Sequence, residues 1–527
     1  MSIIIGGAWP YANGSLHIGH LAALLPGDVL ARYYRAKGEK VFYVSGSDCH
    51  GTPIMVRSKM ENCEPKTLSD KYHSEFLRDF ARLNFSYDLY AKTSDDFHKD
   101  FVKDFYLSLF ESGSLFEKNS YHAYCKHCEK YLPGRYLLGY CSSCGHETTG
   151  GTCDYCGLPI DPETLLEPSC SLCGSTPVFK VSKHLYIRLK PFEDVLKKYL
   201  SEKTNWRPNT KKLALGYIRE GLKNRATTRD LNWGISVPVE GFTHKKIYVW
   251  IEALIGYLST INELAIREGL EFESLWNSSY HYYVHGKDNV PFHAIIFPSL
   301  LLSKGNLKLP DHIISSEHVT LNGYKISTSH DKAIWISEML ETYTSDSIRY
   351  YFLAKNPELQ DLNFTISDFI TTHNADLVGT YGNFVHRTLA FIDRHLNGIF
   401  PKGSIDKNIE SKLSLLYTSV GSKLEQGAFR SSIYDIFKLI HWSNKYFDEH
   451  KPWITKESNL VECENVLYNC LHLIANFAIL LKPILPDSSS KLISWFNLDD
   501  SWNQKQMKPF DKMPSYDVLF KKIDNDN

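Results

Sequence analysis

A doubly wound parallel α/β sheet of the Rossmann type, split by a zinc-knuckle insertion and followed by an all-α bundle, is the fold that three observations predict. The first 48 residues read strand, helix, strand. Eight cysteines then stand as four C-x-x-C pairs between positions 125 and 173, and the α/β pattern resumes beyond them. After about residue 365 the apolar residues recur at helical spacing.

Composition sets the frame. A chain of 527 residues is expected to hold two to four domains. Its 43% hydrophobic and 23% charged residues suit folded domains with sizeable cores. A formal net charge of −1 gives no global basic character, so a nucleic acid would have to find local patches. No apolar run reaches the ~20 residues of a membrane span, and no charged-then-apolar leader opens the chain. A cytoplasmic protein without membrane contact is the expectation.

The elements follow in order. "SIIIGG" is a short apolar run, "LAALLPGDVLARYYRAKG" has helical spacing and stops at Gly38, and "VFYVSGSD" is a second run ending at Asp48. Strand, helix and strand at this spacing form a βαβ unit, hence a parallel sheet. Residues 1–115 are predicted to be the first half of that domain and 116–230 the insertion. Beyond it, "KIYVWIEALIGY" and "HYYVHGKD" are expected as strands, the second followed by an apolar helix, "PFHAIIFPSLLL". These complete the sheet over 231–310, with a loop and linker over 311–365. The bundle takes 366–527: Ile433, Ile436, Phe437 and Ile440 share a helix face, and "VLYNCLHLIANFAILLKPIL" is a long helix stopped near Pro483 and Pro486. From 366 onward 18 Lys and Arg face 19 Asp and Glu, so no broad basic face is expected there.

Four places can carry chemistry. In "AWPYANGSLHIGH", His17 and His20 lie three apart where the first strand passes into a helix. A helix N-terminus attracts phosphate, imidazole donors can stabilise charge growing on oxygen, and Gly19 leaves room for a flat ring. A metal site lacks an evident third ligand, and a plain turn is the alternative. Asp48, Lys287 and Asp288 end strands, where ligands of open parallel sheets bind. A carboxylate there can hold an amino group or a ribose hydroxyl, or be ordinary surface charge. "GYKISTSH", residues 323–330, is a Gly-led loop with Lys325, Ser327 and Thr328 that can close over a triphosphate or remain merely solvated. Finally, the cysteine pairs suit tetrahedral zinc. The spacing suggests a nested arrangement: Cys141 and Cys144 with Cys153 and Cys156, and Cys125 and Cys128 with Cys170 and Cys173. Both sites read as structural; one filled site with four spare thiols, or redox thiols, are the alternatives. Cys49, Cys63, Cys463 and Cys470 are isolated.

Together these segments resemble the class I aminoacyl-tRNA synthetases, specifically their methionine branch, over essentially the whole chain. "PYANGSLHIGH" matches the HIGH element, "SDCHGTP" the segment with the amino-group aspartate, and "YVWIEALIGY" and "GKDNVPFH" pocket segments. "KISTS" sits where the family has KMSKS, and "NADLVGTYGNFVHR" and "EHKPW" match anticodon-contacting stretches. The resemblance implies activation of methionine with Mg²⁺-bound ATP, then transfer to tRNA(Met), initiator and elongator. It implies that His17, His20 and Lys325 act on the reacting phosphates. ATP would meet Gly19, Arg229, Lys287, Asp288, Lys325, Ser327 and Thr328. Asp48 would bind the substrate ammonium. Ala8, Trp9, Tyr11, Trp250, Ala253, Tyr257 and His293 would line the amino-acid pocket, whose aromatic walls suit a thioether. Asn383, Arg387 and Trp453 would read the CAU anticodon of the tRNA from the bundle, read here as anticodon-binding. The cysteine block matches the family's zinc-bearing insertion in its two-knuckle form, implying two structural zinc ions.

Three departures qualify the resemblance. Thr328 replaces the second lysine of KMSKS, and losing a cation aimed at a transition state costs a few kcal/mol. Trp9 stands where many relatives have leucine, and Leu254 replaces a common proline, which allows an altered amino-acid preference. The chain ends soon after the bundle without the dimerising domain of some relatives, so a monomer is expected. Two other readings follow. One is a synthetase of the branched-chain or cysteine type, against which the short insertion argues. The other is a synthetase-like tRNA-binding paralogue with weak or altered activation.

Overall fold

β1 (Ser2–Gly7) runs through the middle of a five-stranded sheet whose strands are all parallel. Across the sheet the order is His312–Ser316, Tyr280–Gly286, β1, β2 (Lys40–Ser47) and β3 (Leu89–Lys92). Residues 2–151, 153, 160, 162–325 and 333–524 are described by this computed structural model. The chain leaves β1 toward β2 on one side and returns on the other with Tyr280–Gly286. That reversal opens a crevice at the carboxyl ends of β1 and Tyr280–Gly286, where such sheets bind ligands.

The sheet is buried on both faces, and the alternation of β1 shows how. Ile3 and Ile5 join Leu21, Leu25 and Val29 of helix α1 (Ile18–Ala36) in one core. Ile4 points the other way, into a second core with Phe42, Val44, Ile255 and Leu258. A β-branched run is therefore consumed by two helical layers, as parallel sheets require.

One expected strand is a helix. "KIYVWIEALIGY" contributes two strand residues, Lys246–Ile247, and then enters helix Val249–Arg267. Its aromatic and β-branched density reads as a strand, but the burial of Ile251, Leu254, Ile255, Leu258 and Ile261 follows the helical period. No proline interrupts the run before Glu268. "HYYVHGKD" does form a strand over Tyr280–Gly286, and the helix after it is Phe297–Lys304, entered through a π-turn at Phe292–Ile296.

The insertion is a long antiparallel ribbon, Leu115–Cys125 against Val178–Ile187, carrying small sheets at its far end. Among the described residues its core holds little more than Ala123, Leu132, Tyr136, Leu137 and Leu165 around Cys125 and Cys170. So small an apolar core needs cross-links. In the bundle, Ile433, Ile436, Phe437 and Ile440 are buried together on helix Phe429–His450. Two helices, Val249–Arg267 and Leu460–Leu481, are long and apolar enough to cross a membrane by length and composition; 72% and 83% of their apolar windows lie inside the fold, as in core helices.

Candidate active site

After β1, the backbone of residues 8–12 continues across the carboxyl end of the sheet. Ala8 N–H donates to Val284 O at 3.0 Å, Asp48 N–H to Pro10 O at 2.8 Å and Ala12 N–H to Asp48 O at 2.8 Å. These bonds fix Tyr11 and Asp48 side by side as a parallel bridge.

The two histidines cap helix α1. His17 is its N-cap: its Nδ1 accepts from Gly19 N–H at 3.1 Å, and His20 Nδ1 accepts from His17 N–H at 3.1 Å. Two imidazoles thus form the reciprocal box more often built from Ser or Thr with Glu. Burial lowers the His17 pKa to about 4, and burial followed by repulsion from His17 takes His20 well below the usual value. Both rings are neutral at pH 7 with Nδ1 accepting, so each carries its proton on Nε2. The result is two N–H donors at a helix N-terminus, a site suited to phosphate oxygens. The same turn is stitched to the segment that follows the lysine loop. Ile336 N–H donates to Leu16 O at 2.9 Å and Ile18 N–H to Ile334 O at 3.1 Å. The backbone of Lys325 pairs with Thr320; Ser327 and Thr328 lie outside the described residues.

Asp48 is 3% exposed. Its carboxylate accepts the His50 N–H at 3.3 Å, and no Lys or Arg among the described residues pairs with it. Burial first, and the nearby Glu252 carboxylate second, raise its pKa well above the ordinary range. A buried carboxylate of this kind is completed by a cation.

Helix Val249–Arg267 carries Trp250, Ala253 and Tyr257 on one face. Trp250 Nε1 donates to Tyr11 OH at 2.5 Å, and its ring lies 3.9 Å from that of Phe292. Tyr257 OH meets His293 Nε2 at 2.9 Å while His293 Nδ1 meets Asn289 O at 3.0 Å. The carbonyl fixes the proton on Nδ1, so Tyr257 is the donor to Nε2. The Trp9 indole occupies a slot where side chains on Gly46 or Gly256 would collide with it, and its buried Nε1 has no partner among the described residues. Leu254 is 3% exposed and packs with Ile251 and Ile255 in the core behind the pocket.

The remaining candidates are placed as follows. Arg229 stacks 3.8 Å above the Tyr248 ring and donates to the carbonyls of Ala226 and Thr228. Lys287 is held by Glu317 and Asp361, each at 2.8 Å, and Asp288 is exposed beside His318. In the bundle, exposed Asn383 and half-buried Arg387 lie one turn apart on helix Asn383–His395. Arg387 lies 4.3 Å over the Phe447 ring and pairs with Asp448 at 2.8 Å. Trp453 is 45% exposed, with its ring 6.3 Å from that of Phe447.

The thiols of Cys125, Cys128, Cys170 and Cys173 lie within 4.8 Å of one another, with separations of 3.5 Å for Cys125–Cys173 and 3.9 Å for Cys128–Cys170. Four thiolates at ~2.3 Å from zinc stand about 3.8 Å apart, so the set fits that metal. Cys141, Cys144 and Cys153 form a second cluster, with Cys144 and Cys153 separated by 3.6 Å; Cys156 lies outside the described residues.

Sequence reading passed over Glu252, His50 and His98. Glu252 is 0% exposed; its Oε1 lies 2.5 Å from His50 Nδ1 and 3.9 Å from His98 Nε2. The signal was present, since Glu252 is the one charged residue in the run "YVWIEALIGY".

A family model described as tRNA synthetases class I (M) matches residues 3–389, and one described as the anticodon binding domain of methionyl tRNA ligase matches residues 401–527. The methionine–tRNA ligase of Bacillus cereus strain B4264 is 47% identical over 529 residues, covering 99% of this chain and 97% of its own. Methionine–tRNA ligase 1 of Alkaliphilus oremlandii strain OhILAs is 45% identical over 527 residues, covering 99% and 98%. The solved methionyl-tRNA synthetase of Mycobacterium tuberculosis, bound by methionyl-adenylate, aligns with a TM-score of 0.82 over 99% of this chain and 100% of its own. At 20% identity, that likeness speaks for the fold.

Proposed function

The chain belongs to the class I tRNA synthetases of the methionyl type, and we propose that it is a methionine–tRNA ligase acting on tRNA(Met), initiator and elongator. The observation that carries the assignment of the site is Asp48: a buried carboxylate that no Lys or Arg among the described residues pairs with, set beside the aromatic side chains of Tyr11 and Trp250.

In this reading the methionine ammonium sits on Asp48, and its side chain lies among Ala8, Trp9, Tyr11, Trp250, Ala253, Tyr257 and His293. The free carboxylate oxygen attacks the α-phosphorus of ATP; the new O–P bond forms as the bond to pyrophosphate breaks. His17 and His20 donate their Nε2 protons as hydrogen bonds to phosphate oxygens whose charge rises, without giving the protons up. Gly19 admits the adenine, and Arg229, Lys287, Asp288, Lys325, Ser327 and Thr328 serve the nucleotide. Mg²⁺ travelling with ATP neutralises charge on its phosphates. In the second step the 2′-hydroxyl of the terminal adenosine attacks the adenylate carbonyl; the ester bond forms as the bond from that carbonyl to the phosphate oxygen breaks, and AMP leaves with its phosphate taking up the hydroxyl proton.

Asn383, Arg387 and Trp453 read the anticodon. The cation on Arg387 is already balanced by Asp448, which favours stacking and base-edge contact over phosphate attraction. Both cysteine clusters hold structural zinc, completed at the second by Cys156. The chain acts in the cytoplasm, as a monomer.

Two assays test the reading. ATP–pyrophosphate exchange screened across the amino acids should select methionine, and initiator tRNA should accept labelled methionine. Exchange with another amino acid would move the chain to a neighbouring specificity, and exchange with none, alongside retained tRNA binding, to a non-activating paralogue. Asp48→Ala should abolish methionine activation; near-normal exchange would remove Asp48 from the amino-group role.

A further inference from the structure

We infer that Glu252 is a specificity-determining residue of this site: a second buried carboxylate behind Asp48 that makes the pocket demand a protonated amine. The inference rests on the ligase reading and adds to it a residue that does not touch the substrate.

Glu252 is 0% exposed, and its Oε2 has no partner among the described residues. Its Oε1 is held at 2.5 Å by His50 Nδ1, and the backbone N–H of the same His50 donates to Asp48 at 3.3 Å. One residue therefore touches both carboxylates and ties their positions together. His98 faces Glu252 from helix Asp96–Glu111 at 3.9 Å, with its Nδ1 bonded to Ser259 Oγ at 2.8 Å. The Trp9 ring, a wall of the amino-acid pocket, lies 5.8 Å from the His98 ring. Glu252 shares its helix with Trp250, Ala253 and Tyr257. Thus a carboxylate with an orphaned oxygen is built into the back of the wall that receives the substrate.

Two carboxylates buried within Coulomb reach raise each other's energy, and little water is present to relieve them. An ammonium group at Asp48 relieves both. A hydroxyl of the same size at that place relieves neither, because it brings no charge. Glu252 therefore widens the gap between an α-amino acid and its α-hydroxy analogue while leaving the thioether subsite unchanged. A site that leaves buried polar groups unsatisfied by the wrong ligand discriminates strongly.

The experiment compares ATP–pyrophosphate exchange with L-methionine and with its 2-hydroxy analogue, for the unsubstituted protein and for Glu252→Gln. The substitution keeps volume and removes one charge. Methionine kcat/KM should fall by about tenfold, mostly through KM, while that of the hydroxy analogue changes little, so that the preference narrows by about tenfold. An equal fall with both substrates would make Glu252 a packing residue and overturn the inference. If Glu252→Gln does not fold, Glu252→Asp carries the test. It withdraws the charge by one methylene, so the ratio should shift in the same direction by a smaller factor. Lowered rates at an unchanged ratio would overturn the inference. Failure of the unsubstituted protein to exchange with methionine would instead defeat the ligase reading.

Discussion

Arg349 meets Asp28 at 2.7 Å with both side chains fully buried. Asp28 lies on α1, the helix capped by His17 and His20. The other Arg349 donors reach Leu83 O at 3.0 Å, Pro483 O at 2.9 Å and Ile484 O at 3.1 Å. Pro483 and Ile484 follow the last turn of bundle helix Leu460–Leu481. A single guanidinium therefore joins α1 of the sheet domain to the end of the bundle.

Arg349→Ala should uncouple the two. It leaves Asp28 buried with Arg32 as its remaining cation and takes the donor from three carbonyls. Removing one partner of a buried pair costs about 3–5 kcal/mol. The first transition in denaturant should move down accordingly. An unchanged transition would show that the pair carries no net stability.

Acid should destabilise the fold through its buried histidines. Burial holds His17, His281 and His293 at about 4, against about 6.5 when unfolded. Between those values the unfolded chain binds more protons, so this stability is fully present above about pH 6.5 and is lost as pH falls toward 4. Asp48 is displaced upward and opposes part of the loss. The denaturant midpoint should fall steadily from pH 7 to pH 5. A flat profile would mean these rings are not held neutral.

Much of this was legible in the sequence because it was local. The strand–helix–strand signal of residues 2–48 depends on neighbouring residues, and so do the cysteine pairs and the bundle periodicity. The helix at Val249–Arg267 was misread because aromatic and β-branched residues suit strands and buried helices alike. What could not be read was what distance in the chain hides. Glu252 becomes notable only when His50, 202 residues away, is found at its Oε1. Trp9 reads as an oversized leucine substitute until Gly46 and Gly256 are seen to make its slot.

Metal analysis of the purified protein should find about two zinc ions per chain, each with four thiolates. Chelation should unfold the ribbon's end, around Tyr136, Leu137 and Leu165, because that core is too small to stand alone. One zinc with four freely titrating thiols would remove the second site.

Trp453→Ala should separate the two chemical steps. Trp453 follows Pro452 in a short helix entered through Lys451 in the left-handed region at φ 44°. That sharp entry leaves the indole 45% exposed beside the Phe447 ring on which Arg387 rests. An exposed aromatic next to a charge-balanced arginine suits stacking of an unpaired base, worth ~1–3 kcal/mol. The site proposed for the adenylate, built on β1, β2 and helix Val249–Arg267, does not depend on it. Methionyl-adenylate formation should therefore survive, while methionylation of tRNA falls by roughly one to two orders of magnitude. If Trp453 were a packing residue, melting temperature and both steps would fall together; since the residue is 45% exposed, the melting temperature should instead hold. Equal loss in both assays with the fold intact would sink the anticodon assignment.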